Sequence, residues 1–259
     1  MRTSERIRKV EAVIISHRDF GEADRLIRLF SLEHGKLTAL AKGARKIRSR
    51  KAAHIEPFTH TALVLAKGQS FWIITQAENK SAYQNIHEDL KKTARAAYIL
   101  ELADQLTGDE QPEPAVFRLI VDTLQRIDAE NDTFNAMLNF EIRLLGFTGF
   151  QPDFFHCVGC KKEIQPQDQF FSVQQGGVVC PACARLGGSM VAVSQHTLKY
   201  LRHFQRSSYS RLKDIGVDEK TGKEIYRILG AYIAYITERK LNSPDFLNQI
   251  NHIENSDAA

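Results

Sequence analysis

Residues 157–183 read CVGCKKEIQPQDQFFSVQQGGVVCPAC and hold the only four cysteines of the 259-residue chain. They stand as two C-x-x-C pairs, Cys157/Cys160 and Cys180/Cys183, separated by nineteen residues. This spacing is that of a four-cysteine zinc site. Zinc takes four thiolates tetrahedrally, and each short knuckle supplies two of them. Gly159 lets the first knuckle turn tightly and Pro181 stiffens the second. Between them, residues 169–173 and 177–179 predict two short strands joined by residues 174–176, a hairpin carrying the second knuckle at its end. The competing readings are a redox dithiol and four buried thiols with no metal; a redox dithiol is expected as one C-x-x-C beside a βαβ pattern. Two knuckles and a hairpin predict instead one structural zinc ion on Cys157, Cys160, Cys180 and Cys183. Such a site is closed and leaves no coordination position for catalysis. Cysteines explained by metal rather than by disulfides make a reducing cytoplasm the expected compartment.

Upstream of this ribbon the pattern is different. Residues 10–16, 25–31, 36–41, 59–66 and 71–77 alternate apolar and polar and are rich in β-branched and aromatic types, which predicts five strands. His34-Gly35 and Lys67-Gly68-Gln69 supply turns. Five short strands in eighty residues predict a small closed barrel, because closure removes exposed edges, and the five-stranded OB-fold is the common solution of that size. Charge is uneven along the chain. Residues 1–80 carry 16 Lys/Arg against 8 Asp/Glu, a net of +8; the rest carry 19 against 23, a net of −4, which returns the overall +4. Six of the ten residues 42–51 (KGARKIRSRK) are cationic and none is acidic. On an OB barrel, Lys42, Arg45, Lys46, Arg48, Arg50 and Lys51 are the candidate phosphate-binding set. Arg2, Arg6, Arg8 and Lys9 are candidates for the same surface, and Arg25 and Arg28 lie in a strand on a face left open. Base-stacking candidates are Phe20, Phe30, Phe58, Phe71 and Trp72, most of which a small barrel needs as core. Phe71 and Trp72 are adjacent and point to opposite faces in a strand.

From residue 82 the period becomes helical. Residues 91–107 place Ala94, Ala97, Tyr98, Leu102 and Leu106 on one stripe. Pro114 opens a second helix that buries Val116, Phe117, Ile120, Val121 and Leu124. A third, residues 133–145, carries Phe134, Met137, Leu138, Phe140, Ile142 and Leu145, with Gly146 as its stop. Beyond the ribbon, Ser194 caps a helix over 196–205. Residues 226–241 form an apolar helix with Tyr226, Leu229, Ile233 and Ile236 on one side, and Ser243-Pro244 opens a last short one. The expected architecture is α+β and multidomain: an OB-fold nucleic-acid-binding domain at 1–80, helical segments at 81–155 and 185–259, and a zinc ribbon at 156–184 inserted between them. No apolar run reaches membrane-spanning length, and no apolar core follows the N-terminal charges, so neither a membrane span nor a signal peptide is expected.

Catalytic motifs are absent. There is no Walker loop, G-x-G-x-x-G or H-E-x-x-H. His156 abuts Cys157, but four thiolates already fill a site. His17-Arg18-Asp19 and His87-Glu88-Asp89 fall at turn or helix-start positions where solvated polar residues are ordinary. The sequence predicts a binding protein, not an enzyme. Two competing readings are an OB-fold nuclease or nucleotidyl-transfer enzyme, and a zinc-ribbon transcription adaptor.

The order of these parts resembles the RecO family of bacterial recombination mediators. Residues 11–15 (EAVII) with 20–26 (FGEADRL) are similar to that family's first strand, turn and second strand. Residues 34–45 (HGKLTALAKGAR) resemble its third strand and basic loop. Residues 140–147 (FEIRLLGF), running through Pro152-Asp153 to Cys157-Val158-Gly159-Cys160, resemble its helix leading into the ribbon. The resemblance implies binding of single- and double-stranded DNA, annealing of complementary strands, and action with RecR to load RecA onto strands coated by single-stranded DNA-binding protein (SSB). It also implies contact with the acidic C-terminal tail of SSB, for which Lys91, Lys92, Arg95, Arg118 and Arg126 are the helical-domain candidates. If about five cations of the basic loop each meet a phosphate, log K against log salt on a single strand has a slope of roughly −3.5.

Overall fold

The structure, a computed structural model, describes residues 6–49, 51–185, 187–188 and 190–238. Five strands open the chain: β1 (Ile7–Phe20), β2 (Asp24–Ser31), β3 (Gly35–Ala41), β4 (His60–Lys67) and β5 (Trp72–Ser81). They close into a barrel in the order β1-β2-β3-β5-β4, with β4 returning to β1. Neighbours are antiparallel except β3 and β5, which meet in parallel at Ala39/Trp72 and Leu40/Ile73. β1 is twice as long as the alternation predicts because it serves two partners. It pairs with β4 over Ile7–Val13 and with β2 over Ala12–Phe20, and the register shifts between Ile14 and Ser16. Such a bulge bends a strand and lets one strand turn a barrel corner. Inside lie Val10, Ala12, Ile14, Ile27, Leu29, Leu37, Ala39, Ala41, Leu63, Leu65 and Ile74. Small alanines beside branched residues are what a narrow interior accommodates. On the opposite parity Val13, Leu26 and Phe30 are also buried, so these strands are covered on both faces.

α1 (Gln84–Glu88), α2 (Leu90–Leu106) and α3 (Pro114–Ala129) follow. Asp89 caps α2 by accepting the N–H groups of Lys91 (2.7 Å) and Lys92 (3.0 Å), and Pro114 begins α3 as expected. α2 buries Ala94, Ala96, Tyr98, Ile99, Leu100, Leu102 and Ala103, more than the single stripe read from the sequence. It packs against α1, α3 and β1 at once, which is why Ala97 and Leu106 of that stripe are only half-buried. Val121 of α3 is half-buried as well. The described residues up to Asn131 form one compact unit, and those from Asp132 onward form a second.

The second unit starts with α4 (Phe134–Phe147). Its stop is Gly149, not Gly146. Gly149 has φ +85, the Phe150 N–H reaches Leu145 O (2.8 Å) and the Gly149 N–H reaches Gly146 O (3.4 Å), the double closure of a Schellman turn. β6 (Gln169–Ser172) and β7 (Gly177–Val179) make the predicted hairpin, α5 (Pro181–Ala184) holds the second knuckle, and β8 (Met190–Val193) adds a third strand in the order β7-β6-β8. α6 (Gln195–Arg206), α7 (Tyr209–Leu212) and α8 (Glu219–Thr237) complete it. Ser194 caps α6 as predicted, accepting the Thr197 N–H at 3.2 Å. Glu224 of α8 accepts from the hydroxyls of Ser194 (2.8 Å) and Thr197 (2.7 Å), tying α8 to that cap. α8 begins seven residues earlier than the apolar run suggests, at an Asp218 cap. Its buried face is Ile225, Ile228, Leu229, Tyr232 and Ile233, while Tyr226 is exposed. The predicted end of that helix and the short helix at Ser243-Pro244 lie outside the described residues. Among the described residues no helix is long and apolar enough to cross a membrane.

Candidate nucleic-acid interface and metal centre

The basic loop leaves β3 through Gly43, whose φ of +67 suits glycine. It is then clipped onto the turn between β1 and β2. The Gly43 N–H donates to Asp24 Oδ1 (2.7 Å) and the Arg45 N–H to Ala23 O (3.0 Å). The Arg45 guanidinium donates to Glu22 O (3.2 Å) and stands 3.2 Å from Asp19 Oδ2. Ala44 and Ile55 are both buried within the barrel core, one at each end of the loop. Lys51 donates to Ile74 O of β5 at 3.0 Å. The segment between these anchors carries Lys46, a fully exposed Ile47 and Arg48.

The six cations therefore divide. Lys42, Lys46 and Arg48 are exposed and form no ion pair among the described residues. Arg45 and Lys51 are spent on holding the loop down. Arg50, like Arg2, lies outside the described residues.

Other cations of the barrel are also engaged. Arg25 pairs with Glu56 (2.8 Å) and lies near Asp19, while His17 meets the other Glu56 oxygen at 3.1 Å. Arg28 and a buried Lys36 share Asp104 and Asp109. Arg28 Nη2 is 3.1 Å from Asp104 Oδ1 and 2.6 Å from Asp109 Oδ1, and Lys36 Nζ is 3.4 and 3.7 Å from the same two oxygens. Burial alone raises the Asp109 carboxyl, but the Arg28 and Lys36 charges outweigh it and hold it below its ordinary range. A cavity of about 320 Å³ opens beside this quartet, lined also by Thr38, Phe71 and Trp72.

Of the five aromatic candidates, Phe20 is exposed and Phe58, Phe71 and Trp72 are half-buried. Phe20, 43 % exposed at the end of β1, meets the half-buried Phe71 edge to face at 6.1 Å. Trp72 packs against the barrel core with the Arg8 guanidinium 4.3 Å from its ring centroid. Phe30 is fully buried, and Phe58 rests its ring on His87 at 5.8 Å. Among the tail-binding candidates, Lys92 is buried and donates to Asp128 O at 2.8 Å, Arg126 lies 3.9 Å from Asp122, and Arg118 is exposed.

In the second unit the four cysteine sulfurs lie within 4.8 Å of one another. Cys160 and Cys180 Sγ are 3.9 Å apart, close to the ~3.8 Å edge of a tetrahedron with ~2.3 Å metal–sulfur bonds. A side chain on Gly159 would meet Cys183 Cβ and Sγ at 3.3 Å each, so the two knuckles approach closely at this glycine. The Cys180 N–H donates to Cys157 Sγ at 3.3 Å. Burial raises the Cys157 thiol, but the surrounding N–H groups of Cys160, Cys180 and Gly159 outweigh it and bring it to about 6. The Cys183 thiol beside it is pushed up to about 12, by its hydrogen bonds to Cys180 and Cys160 and by the Cys157 charge. Four sulfurs converging around one ionised thiol suit a single metal cation, which supplies the charge that lets the remaining thiols ionise. His156 is turned away, 3.6 Å from Asp153 and exposed.

Comparison with known proteins covers both units. Residues 3–83 match the family model described as recombination protein O, N terminal, and residues 87–245 match recombination protein O, C terminal. The chain is 34 % identical over 245 residues to the DNA repair protein RecO of Desulforamulus reducens, covering 95 % of each. It is 32 % identical over 249 residues to that of Roseiflexus sp., covering 96 % of this chain and 88 % of the other. With DNA repair protein RecO of Bacillus subtilis the identity is 30 % over 246 residues, covering 95 % and 96 %.

Proposed function

The chain belongs to the RecO family of DNA repair proteins, and from that premise we propose that it is a strand-annealing mediator with no chemical turnover. It binds single- and double-stranded DNA through the barrel, acts with RecR, and helps load RecA on strands coated by SSB, whose acidic tail it contacts. It works in the bacterial cytoplasm. The observation that carries this reading is the basic loop. Lys42, Lys46 and Arg48 are exposed, form no ion pair among the described residues, and stand on a loop fixed at both ends. Cations so placed neutralise phosphates whatever the base sequence. Annealing arbitrary strands requires that indifference, together with relief of repulsion between two polyanions. Arg45 and Lys51 serve as the anchors of this surface, and Arg50 belongs to the same run. Phe20 and Phe71 add sequence-tolerant apolar contact at its side.

The metal is one zinc ion held by Cys157, Cys160, Cys180 and Cys183. When bound it cross-links the two knuckles and leaves no open position for chemistry. The test is annealing of two labelled complementary oligonucleotides coated with SSB, with and without RecR, and with a second pair of unrelated sequence. Annealing at equal rates for both pairs, faster with RecR, is expected. Shortened or modified strands would point to an enzyme instead, and a strong preference for one pair would point to a sequence-reading adaptor.

A further inference from the structure

The unit that holds the ribbon carries its own cationic surface. α6 reads QHTLKYLRHFQR and contains no acidic residue. Its buried side is Thr197, Leu198, Leu201 and Phe204. Lys199, His203 and Arg206 are exposed on the other side, with Arg202 beside them. The Arg206 guanidinium lies 3.7 Å from the Phe155 ring centroid, and that of Arg202 lies 5.2 Å from it. Arg202 is fixed by donating to Phe154 O at 2.8 Å. Lys199, Arg202 and Arg206 form no ion pair among the described residues. The arrangement costs Arg202 something: burial, and then the like charge of Arg206, lower its pKa from the ordinary value. A favourable helix C-terminus accounts for Arg206 and His203. It does not account for Lys199, or for two guanidinium groups gathered on one aromatic ring. A cavity of about 420 Å³ adjoins them, lined by Gln151, Pro152, Asp153, Phe155, Gln205 and Arg206.

We propose that this face is a second contact for a single nucleic-acid strand, separate from the barrel. Phosphates lie along Lys199, Arg202 and Arg206, and one base stacks on the Phe155–Arg206 pair in the cavity. Cations that form no ion pair, with Glu163 and Asp153 acting on Arg202 only at longer range, select a polyanion. An aromatic ring paired with a planar guanidinium is a platform for any base, since every base has a π-face. An acidic peptide would satisfy the cations but would leave the ring pair without a planar partner.

The experiment uses the full chain, a labelled twenty-nucleotide dT strand and an abasic strand of the same length. Lys199→Gln and Arg206→Gln are each expected to reduce the slope of log K against log salt by roughly 0.7 on both strands. Phe155→Leu is expected to weaken dT binding about fivefold or more while leaving the abasic strand within about twofold. Arg206→Gln alters an exposed side chain, so its result stands even where Phe155→Leu fails to fold. Unchanged slopes in both charge variants overturn the proposal, and the barrel reading survives that result if replacing Lys42, Lys46 and Arg48 still lowers the slope. Equal loss on dT and abasic strands in Phe155→Leu overturns the stacking contact. Competition by a poly-glutamate peptide that disappears in Arg206→Gln, with no change in strand binding, assigns the face to an acidic peptide and also overturns it.

Discussion

Replacing Lys42, Lys46 and Arg48 together with glutamine tests the division of the basic loop into free and engaged charges. A count of cations in the sequence gives about five phosphate contacts and a slope of roughly −3.5 for log K against log salt on a single strand. Among the described residues the structure leaves three, since Arg45 is held by Asp19 and the carbonyl of Glu22, and Lys51 by Ile74 O. Three contacts at about 0.7 each contribute a slope of roughly −2. Between 50 and 200 mM salt, a fourfold change, that component alone weakens binding roughly twentyfold. The triple variant loses it, so its curve falls well below the wild type at low salt and converges on it at high salt. The assay is fluorescence anisotropy of a labelled dT oligonucleotide at several NaCl concentrations. Arg45→Gln and Lys51→Gln serve as the contrast: neither is expected to change the slope, and both are expected to lower stability. An unchanged slope in the triple variant, or an equal change in the two anchor variants, would refute the division.

Gly35→Ala places a Cβ at φ +65 and 1.9 Å from Gln111 O; left-handed strain and the clash together are expected to cost about 2 kcal/mol or more, and an unshifted urea midpoint would show that the loop yields freely. Cys157→Ser is expected to abolish metal content, read with a chromogenic chelator after thiol blocking, and to open the ribbon to proteolysis. A metal-free variant that stays fully folded yet loses annealing would place the ribbon on the DNA surface. His60 is buried against Phe117 with its ring 2.9 Å from Glu11. Burial lowers its pKa from 6.5, despite the Glu11 charge and with help from Lys80. The unfolded chain therefore binds the extra proton first, so stability is full above about pH 6.5 and falls as the pH drops below it. Glu11 is held below its ordinary value because Lys80 and His60 outweigh its burial, so its contribution is lost at still lower pH. His60→Gln is expected to flatten the pH dependence of the urea midpoint between pH 6.5 and 5, and an unaltered slope there would count against it.

The barrel was legible because five runs of alternation, each bounded by turn residues, leave few other solutions. The clustering of the four cysteines was legible because two C-x-x-C pairs at that spacing on a hairpin bring their sulfurs together. What escaped depended on contacts distant in sequence. Met190–Val193 is only four residues, and its strand character comes from pairing with Gln169–Ser172. Gly146 was read as a helix stop because it follows the apolar run, yet the left-handed residue that turns the chain is Gly149. The stripe of α8 was read from Tyr226, whereas its phase is set by the Asp218 cap and leaves Tyr226 outside. The basic loop was visible as composition, but which charges remain free was not, because Asp19 reaches Arg45 only once β1 and β2 have turned. The acid-free text of α6 was visible too. Phe155, forty residues or more upstream of its arginines, reaches them only through the fold.

The charge quartet bears on how this protein can be taken apart. The N-terminal family match ends at residue 83, but Asp104 and Asp109, the neutralising partners of Arg28 and Lys36, come later in the chain. A fragment cut at that boundary would keep the two cations and discard both carboxylates. It would uncover Lys36, buried in the full chain against Asp104 and Asp109, without a counter-charge, and so present a β2–β3 surface newly attractive to any polyanion. DNA affinity measured on such a fragment would report a patch created by the scissors, in the place where OB barrels commonly bind oligonucleotides. A dissection point that keeps both carboxylates lies after α3, where Asn131 ends the described residues of the first unit.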